Sequence, residues 1–142
     1  MAVVLFIYWR EYNMSISPRY TREIPHRYRL EAQKFKCGKV TLANRYVCPD
    51  SECTEFENIT LKGTGTILSF TVIYIAADAF ARQTPFAVAI IETDEGCRLT
   101  AQVVDCNLED VKIGAKVELI FRKITEEGGS GIINYGYKAI LV

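Results

Sequence analysis

The sequence predicts a mainly β protein with three parts: an N-terminal helical segment, a short cysteine-bearing ribbon, and a five-stranded barrel of the OB type. Three observations support this prediction. Residues 15–31 are rich in Arg, Tyr and Pro, three cysteines are clustered between residues 37 and 53, and apolar and polar residues alternate from residue 63 onward. Alternation of this kind is typical of strands with one buried face. We therefore expect an N-terminal segment at 1–31, a ribbon at 32–60 and a barrel at 61–142.

Five stretches of the C-terminal part are predicted strands. They are "GTGTILSFTVIYIA", "PFAVAIIET", "CRLTAQVVD", "AKVELIFRKI" and "IINYGYKAILV". Two glycines open the first strand and would allow it to bend sharply, as a small closed barrel requires. The stretch "NLEDVKIG" predicts a short helical or turn connection, with Asn107 as its cap and Gly114 as its stop. A β-sandwich is the competing architecture, but it usually needs seven strands.

The N-terminal segment "SISPRYTREIPHRYRLE" has weak periodicity and two prolines. Because a proline inside a helix removes one backbone hydrogen bond and clashes with the preceding turn, Pro25 predicts a bend after one or two helical turns. The segment is too polar to bury much surface alone, so we expect it to lie along another part of the chain.

The distribution of charge narrows the function. The net charge of zero is unlike that of a general nucleic-acid binder, which needs surplus Lys and Arg. Between residues 15 and 49, however, eight Lys or Arg face only two Glu. This run is either a solvated surface or a site for a phosphate-bearing ligand or acidic partner. The opening "MAVVLFIYWR" lacks the features of a secretory signal and is too short to span a bilayer, so we expect a cytoplasmic protein with no membrane partner.

The sequence offers little for catalysis. His26 is the only histidine, and no Ser-His-Asp or Cys-His set can be assembled without it. We interpret it as a surface residue. The "GTG" at Gly63–Gly65 lacks the remainder of a dinucleotide fingerprint. Cys97 and Cys106 are interpreted as small buried apolar residues, with a disulfide between them left open. We therefore predict that this chain is not an enzyme.

The cysteine-bearing ribbon is the strongest functional signal. Cys37 is followed by Gly and Cys48 by Pro, and both dipeptides suit the tight turns of a zinc knuckle. Structural zinc usually takes four ligands arranged as two closely spaced pairs. Cys48 and Cys53 form one pair, but four residues separate them. Cys37 has no partner, because Lys34 occupies the position where a second cysteine would be expected. Three thiolates with a water, or with a carboxylate such as Asp50 or Glu52, would still bind zinc, but more weakly. Full tetrahedral zinc is not expected.

These motifs together resemble a known family. The stretches "YTREIPHRYRLEAQKFKCGKV", "NRYVCPDSEC", "LKGTGTILSFTVI", "PFAVAIIE", "VKIGAKVELIF" and "INYGYKAI" resemble the archaeal zinc-ribbon/OB-fold proteins of the acyl-CoA-associated family, long catalogued as a domain of unknown function. The resemblance runs from about Pro18 to the C-terminus and implies a rubredoxin-like ribbon. Cys37 and Cys48 match the family pattern. Cys53 is displaced by two residues, and Lys34 replaces a cysteine.

The resemblance implies a non-catalytic partner of acetoacetyl-CoA thiolase and hydroxymethylglutaryl-CoA synthase, in mevalonate-dependent lipid biosynthesis. It also implies that coenzyme A or acyl-CoA is a ligand. The ligand- or partner-binding residues that we expect are Arg22, Arg27, Tyr28, Arg29 and Lys36. Guanidinium groups suit the coenzyme A phosphates, since they bind oxyanions through two hydrogen bonds.

Two alternatives stay open from the sequence. One is a single-strand nucleic-acid-binding OB module, for which Tyr74, Phe80, Phe86, Tyr135 and Tyr137 would be the stacking side chains. Against it, the barrel is slightly acidic and its aromatic residues are not interleaved with Lys and Arg, so we expect no nucleic-acid partner. The other is a structural domain whose ribbon docks a different partner.

Overall fold

The five predicted C-terminal strands close into a barrel. The computed structural model describes residues 18–126 and 133–142, and the barrel strands in it are paired in the order β4-β5-β6-β8-β7. Their bounds are β4 Thr64–Ile73, β5 Phe86–Thr93, β6 Arg98–Val103, β7 Lys116–Glu126 and β8 Ile133–Leu141. All neighbours are antiparallel except β6 and β8, which pair in parallel at Val103 and Ala139. The predicted mainly β fold with an OB-type barrel is confirmed.

The barrel core follows from the predicted alternation. In β5, Ala87, Ala89 and Ile91 are buried, while Ile90 between them is exposed. The same pattern in the other strands supplies Ile67, Leu99, Ala101, Val103, Val117, Leu119 and Ala139, and Val111 joins this core from the connection before β7. Burial of this apolar surface is the main term that stabilises the barrel.

Gly65 lies where the barrel closes. It pairs with Thr93 on one side and with Val117 on the other, so two strands flank it at once. A Cβ at this position would lie 2.6 Å from the carbonyl oxygen of Glu92 and 2.9 Å from a methyl of Ile91. The glycine is therefore required by the close approach of the β4 and β5 backbones, whereas the sequence predicted only that it would let β4 bend.

The connections differ in detail from the predictions. β4 ends at Ile73, three residues before the predicted end, and a 3-10 helix that was not predicted spans Asp78–Gln83. The predicted helical connection is a single 3-10 turn, Leu108–Asp110. Asn107 precedes it, but its side chain bonds the Asp110 carboxylate at 3.2 Å and not the backbone. Gly114 is part of the turn before β7 and does not end a helix. The glycine-rich loop predicted between the last two strands lies largely outside the described residues.

The ribbon forms a separate three-stranded sheet with the order β2-β1-β3. Its strands are β1 Glu31–Phe35, β2 Val40–Thr41 and β3 Phe56–Thr60. The Phe35 side chain is almost fully buried and meets the Phe56 ring edge-on, with centroids 5.7 Å apart. Leu30 and Leu42 pack against both the ribbon core and the barrel core. Leu30 and Leu42 therefore belong to both cores, and the domain boundaries predicted after residues 31 and 60 stay a prediction.

The N-terminal helix α1, Pro18–Arg29, continues through Pro25. The helix is therefore not interrupted at Pro25, contrary to the expectation of only one or two helical turns before it. Pro25 lies on an exposed face of the helix, where water can bond the carbonyl that loses its partner, and contacts with β8 and β1 hold the helix in place. Within residues 18–126 and 133–142, no helix has the length and apolar content needed to cross a membrane.

Candidate functional site

A groove of about 740 Å³ lies between α1, the ribbon and the barrel. We call it the central groove. Its floor includes the apolar side chains of Leu42, Cys97, Leu99 and Tyr137. Its charged lining residues are Glu23, His26, Arg27, Glu31, Lys39, Arg45, Glu92 and Arg98. An apolar floor with a charged rim is the usual composition of a small-molecule site, and this volume lies in the range of such sites.

Most of the charged groups around the groove already have partners. Arg98 pairs with Glu92 at 2.9 Å, and Lys39 pairs with Asp50 at 2.7 Å. The backbone amide of Arg45 donates to the side-chain oxygen of Gln33 at 2.6 Å, which fixes the start of the Arg45 loop. These pairs orient the cationic groups at the rim while leaving them accessible to water, so an anionic ligand could exchange with the carboxylates.

Glu31 joins α1 to the ribbon. Its carboxylate accepts hydrogen bonds from Arg29 and is paired with the Nδ1 atom of His26. The Arg29 guanidinium, and after it His26, lower the pKa of Glu31, and Glu31 in turn raises the pKa of Arg29. His26 lies at the surface, as predicted, with 45% of its side chain exposed, and it also forms part of the groove wall. Its ring is engaged by a carboxylate that comes directly after the helix.

The predicted ligand- or partner-binding residues separate into different places. Arg27 lines the central groove, whereas Arg22 is exposed on α1 and does not line it. Arg29 is paired with Glu31. Lys36 lies in the turn between β1 and β2 and pairs with Glu55. Among these four cations, Arg27 is the one that lines the groove.

Tyr28 is part of an aromatic cluster with Phe121 and Tyr135. Its ring meets Phe121 edge-on, with centroids 5.0 Å apart, and Phe121 stacks on Tyr135 with centroids 5.6 Å apart. The Tyr28 side chain nevertheless stays 65% exposed. A large aromatic ring that is fixed by a neighbour and also exposed is a typical anchor for a protein partner. The sequence suggested Tyr28 as a contact but gave no sign of its neighbours on β7 and β8.

The five aromatic side chains proposed for stacking on a nucleic acid lie in more than one packing environment. Phe80 and Phe86 pack on each other with centroids 6.2 Å apart, and Tyr135 stacks on Phe121. Tyr137 packs against the barrel core, whereas Tyr74 is exposed beyond the end of β4. Phe80 and Phe86 therefore form one pair, whereas Tyr135 belongs to a different cluster, with Phe121 and Tyr28.

The ribbon brings two of its three cysteines together. The Sγ atoms of Cys37 and Cys48 lie 3.2 Å apart, with Cys37 exposed and Cys48 buried. The Cys48 amide donates to the carbonyl of Cys53 at 2.9 Å, and the Cys53 thiol is directed to the carbonyl of Glu55 at 3.5 Å. Hydrogen bonds from the Ser51 hydroxyl, the Lys39 backbone and Cys48 lower the pKa of Cys37.

These residues do not fit a tetrahedral zinc site. In the described part of the chain, no group of three or more His, Cys, Asp or Glu side chains is arranged to hold a metal ion. Two thiolates on one tetrahedral zinc would be about 3.8 Å apart, given Zn–S bonds of about 2.3 Å, and the observed pair is closer than that. Lys34 is exposed on β1 and offers a cation where a ligand is needed.

Cys97 and Cys106 are free thiols at opposite ends of β6. Burial raises the pKa of both, with the nearby Asp110 carboxylate adding to the effect at Cys106. A thiol with a raised pKa stays protonated and is a poor nucleophile. Cys97 therefore contributes to the groove floor as an apolar group.

The fold and these sites can be compared with known proteins. Residues 58–122 match the family described as the C-terminal OB-fold domain of ChsH2. A DUF35 domain-containing scaffold protein of Methanocaldococcus jannaschii is 46% identical over 119 residues, which is 82% of this chain and 84% of that protein. A scaffold protein of the same description from Methanothermobacter thermautotrophicus is 42% identical, over 88% of this chain and 96% of that one.

The chain belongs to the DUF35 family. A more distant relative is the benzoylsuccinyl-CoA thiolase subunit BbsA of Geobacter metallireducens, which is 29% identical over 74% of this chain and 70% of that one. Among solved structures, the Ltp2-ChsH2(DUF35) aldolase is similar with a TM-score of 0.64 and 22% identity, over 91% of this chain and 97% of that chain. At this identity the likeness supports the DUF35 fold alone.

Proposed function

We propose that this DUF35 protein is a non-catalytic scaffold that bridges a thiolase and a hydroxymethylglutaryl-CoA synthase in mevalonate-dependent lipid biosynthesis. The observation that carries the proposal is the exposed Tyr28 ring, fixed over the Phe121–Tyr135 stack. The relatives described as scaffold proteins and the thiolase subunit BbsA support it. The aromatic cluster would be the contact for the thiolase, since rigid aromatic side chains lose little conformational entropy on binding.

The central groove would take the coenzyme A part of an acyl-CoA. Arg27, Arg45 and Arg98 would bind its phosphates at the rim, while the extended pantetheine arm would lie over Leu42 and Leu99. Guanidinium groups are suited to this task because each presents two parallel N–H donors to one phosphate. A groove between three structural elements can hold an extended ligand that a partner enzyme also contacts.

The groove residues are suited to binding and not to acyl transfer. His26 is engaged by Glu31, and the Cys97 thiol in the floor has a raised pKa. Acyl transfer needs a nucleophile beside a base, and these two groups do not supply an activated one. The chemistry would therefore be done by the partner enzymes.

A capture experiment tests this function. The tagged chain would be incubated with acetoacetyl-CoA thiolase and hydroxymethylglutaryl-CoA synthase from the same genome, and retention of each would be measured. We expect both to be retained, and Tyr28→Ala to weaken thiolase binding at least tenfold. Tyr74→Ala is the matched control, because Tyr74 is 71% exposed at a different place on the barrel.

Binding of coenzyme A by calorimetry is the second measurement. Wild-type protein is expected to release heat with coenzyme A, and Arg27→Ala to reduce the affinity. A chain that captures neither enzyme and gives no heat with coenzyme A would exclude the proposed function. Salt-sensitive binding of a single-stranded oligonucleotide in place of both would favour the nucleic-acid alternative.

A further inference from the structure

The ribbon holds a pair of thiols that the scaffold function does not use. We propose that Cys37 and Cys48 are a reversible dithiol–disulfide couple, which closes in the presence of a low-molecular-weight disulfide and takes the structural place of a metal. The proposal concerns the ribbon alone and does not depend on the identity of the partner enzymes.

The distance between the two sulfur atoms favours a disulfide. They are 3.2 Å apart, whereas a disulfide bond is about 2.05 Å long. Closure therefore needs the sulfur atoms to approach by about 1.2 Å. Cys37 lies in the turn between β1 and β2, and a Cβ at the adjacent Gly38 would meet no atom within 4 Å. The turn has free space around it for this adjustment.

The difference in exposure between the two cysteines gives each a role. Cys37 is exposed and can meet a small disulfide in solution, while Cys48 is 4% exposed and cannot. The Cys37 sulfur attacks one sulfur of the small disulfide and releases one small thiol. Cys48 then attacks the sulfur of Cys37 and releases the second small thiol. The protein dithiol is oxidised, the small disulfide is reduced, and the two thiol protons end on the released thiols.

The other cysteines of the described chain are placed less favourably. The Cys53 thiol is directed to the Glu55 carbonyl, and its amide bonds the Ser51 hydroxyl. Cys97 is 2% exposed beside the turn between β5 and β6. Cys53 is near enough to Cys37 for its charge to raise the Cys37 pKa, but the thiols within hydrogen-bonding distance are those of Cys37 and Cys48. The proposed disulfide therefore links Cys37 to Cys48 specifically.

A disulfide here would fasten the two turns that a metal fastens in a complete zinc ribbon. In the reduced protein these turns are joined by the exposed ion pair of Lys39 with Asp50, at 2.7 Å. An exposed ion pair adds little stability, whereas a covalent link removes much of the freedom of the opened ribbon. Oxidation would thus convert a weakly held ribbon tip into a fixed one.

The test is thiol counting across glutathione buffers. The purified full chain would be equilibrated at increasing ratios of oxidised to reduced glutathione, quenched in acid, unfolded and alkylated with N-ethylmaleimide. Intact mass is expected to change from five alkylated cysteines to three, and peptide mapping to show a link between Cys37 and Cys48. Dithiothreitol should restore all five.

Two variants make the result specific. Cys37→Ser should keep all of its remaining thiols, and Cys53→Ser should still lose two. Because Cys37 is exposed, its substitution is expected to leave the circular dichroism spectrum unchanged. Five alkylated cysteines at the most oxidising ratio, or a link between any other pair, would overturn the proposal. So would one equivalent of bound zinc that protects both thiols from alkylation.

Discussion

The Phe121 and Tyr135 rings stack within 17° of parallel, although the two residues are not directly opposite each other in the β7–β8 pair. Phe121 lies opposite Tyr137, and Tyr135 lies opposite Lys123, so the contact is a diagonal one on one face of the hairpin. Tyr28 of α1 adds its edge to this stack. The helix is thereby attached to the barrel by a contact between residues remote in the sequence.

This attachment can be measured by a double-mutant cycle. The single changes Tyr28→Ala and Phe121→Ala and their combination should give a coupling of about 0.5–1.5 kcal/mol in the free energy of unfolding. Urea denaturation followed by circular dichroism supplies the values. The pair Tyr28→Ala and Tyr74→Ala should be additive, because no ring contact joins these residues. Additivity for the Tyr28–Phe121 pair would mean that the aromatic contact does not hold α1.

Gly65 should not tolerate a side chain. We expect Gly65→Ala to lower the free energy of unfolding by about 1–3 kcal/mol, since the new methyl group would meet the β5 backbone at Glu92 and also the Ile91 side chain. Ser69→Ala on the same strand is the control and should change stability by less than about 0.5 kcal/mol, because Ser69 is exposed. Equal stability of the two variants would contradict the close approach of β4 and β5.

The strands were predictable because their signal is local. Alternation of residues such as Ala87, Ala89 and Ile91 with more exposed neighbours is readable in the sequence, and so is the glycine at the point of closure. The helix through Pro25 was not predictable by the same reasoning. A proline inside a helix lowers the stability of that helix, and this effect can be read from the local sequence. The contacts of the helix with β8 and β1 offset it, but these strands lie in other parts of the chain.

The site was predicted less completely than the fold. Arg27, Lys39 and Arg45 all belong to the basic run of residues 15–49, but Arg98 of the groove rim comes from β6. No pattern of spacing in the sequence predicts that residues from such distant elements will line the same groove. The proximity of Cys37 and Cys48 was implied by the ribbon plan, whereas the separate direction of Cys53 depends on the turn geometry around Ser51.

Lys138 gives the protein a pH-dependent stability. It is 7% exposed, its ammonium group donates to Gln83 at 3.2 Å, and burial, followed by the Arg122 charge, lowers its pKa below the ordinary value of 10.5. In the unfolded chain the amine binds its proton more tightly. Between the lowered pKa and 10.5 the unfolded state therefore holds more protons, and this group makes stability rise with pH.

Replacement of Lys138 tests whether this residue makes the stability of the protein rise with pH. Lys138→Met should raise the Tm near pH 7 relative to wild type, and this advantage should shrink as the pH approaches 10. Gln83 keeps its bond from Gln102, so the replacement leaves no new unpaired group there. Lys112→Met is the control, because Lys112 is exposed. A constant difference in Tm between wild type and Lys138→Met at all pH values would disprove the assignment.

Metal content provides a further prediction. Purified protein should contain well under one zinc per chain, and a chelator should barely change its Tm, because three thiols without a fourth ligand hold zinc weakly. Lys34→Cys is expected to raise the zinc content toward one per chain, since it supplies the missing thiol. A full equivalent of tightly held zinc in the wild type, measured by atomic emission, would refute this expectation.

Leu30 and Leu42 have a consequence for how the protein would work. Both side chains pack into the ribbon core and the barrel core, and the Leu61 amide donates to the Leu30 carbonyl at 3.0 Å. A ribbon joined in this way cannot swing on a hinge relative to the barrel without opening both interiors. In the proposed scaffold function, partners bound to the ribbon and to the barrel would therefore be held at a fixed distance and angle.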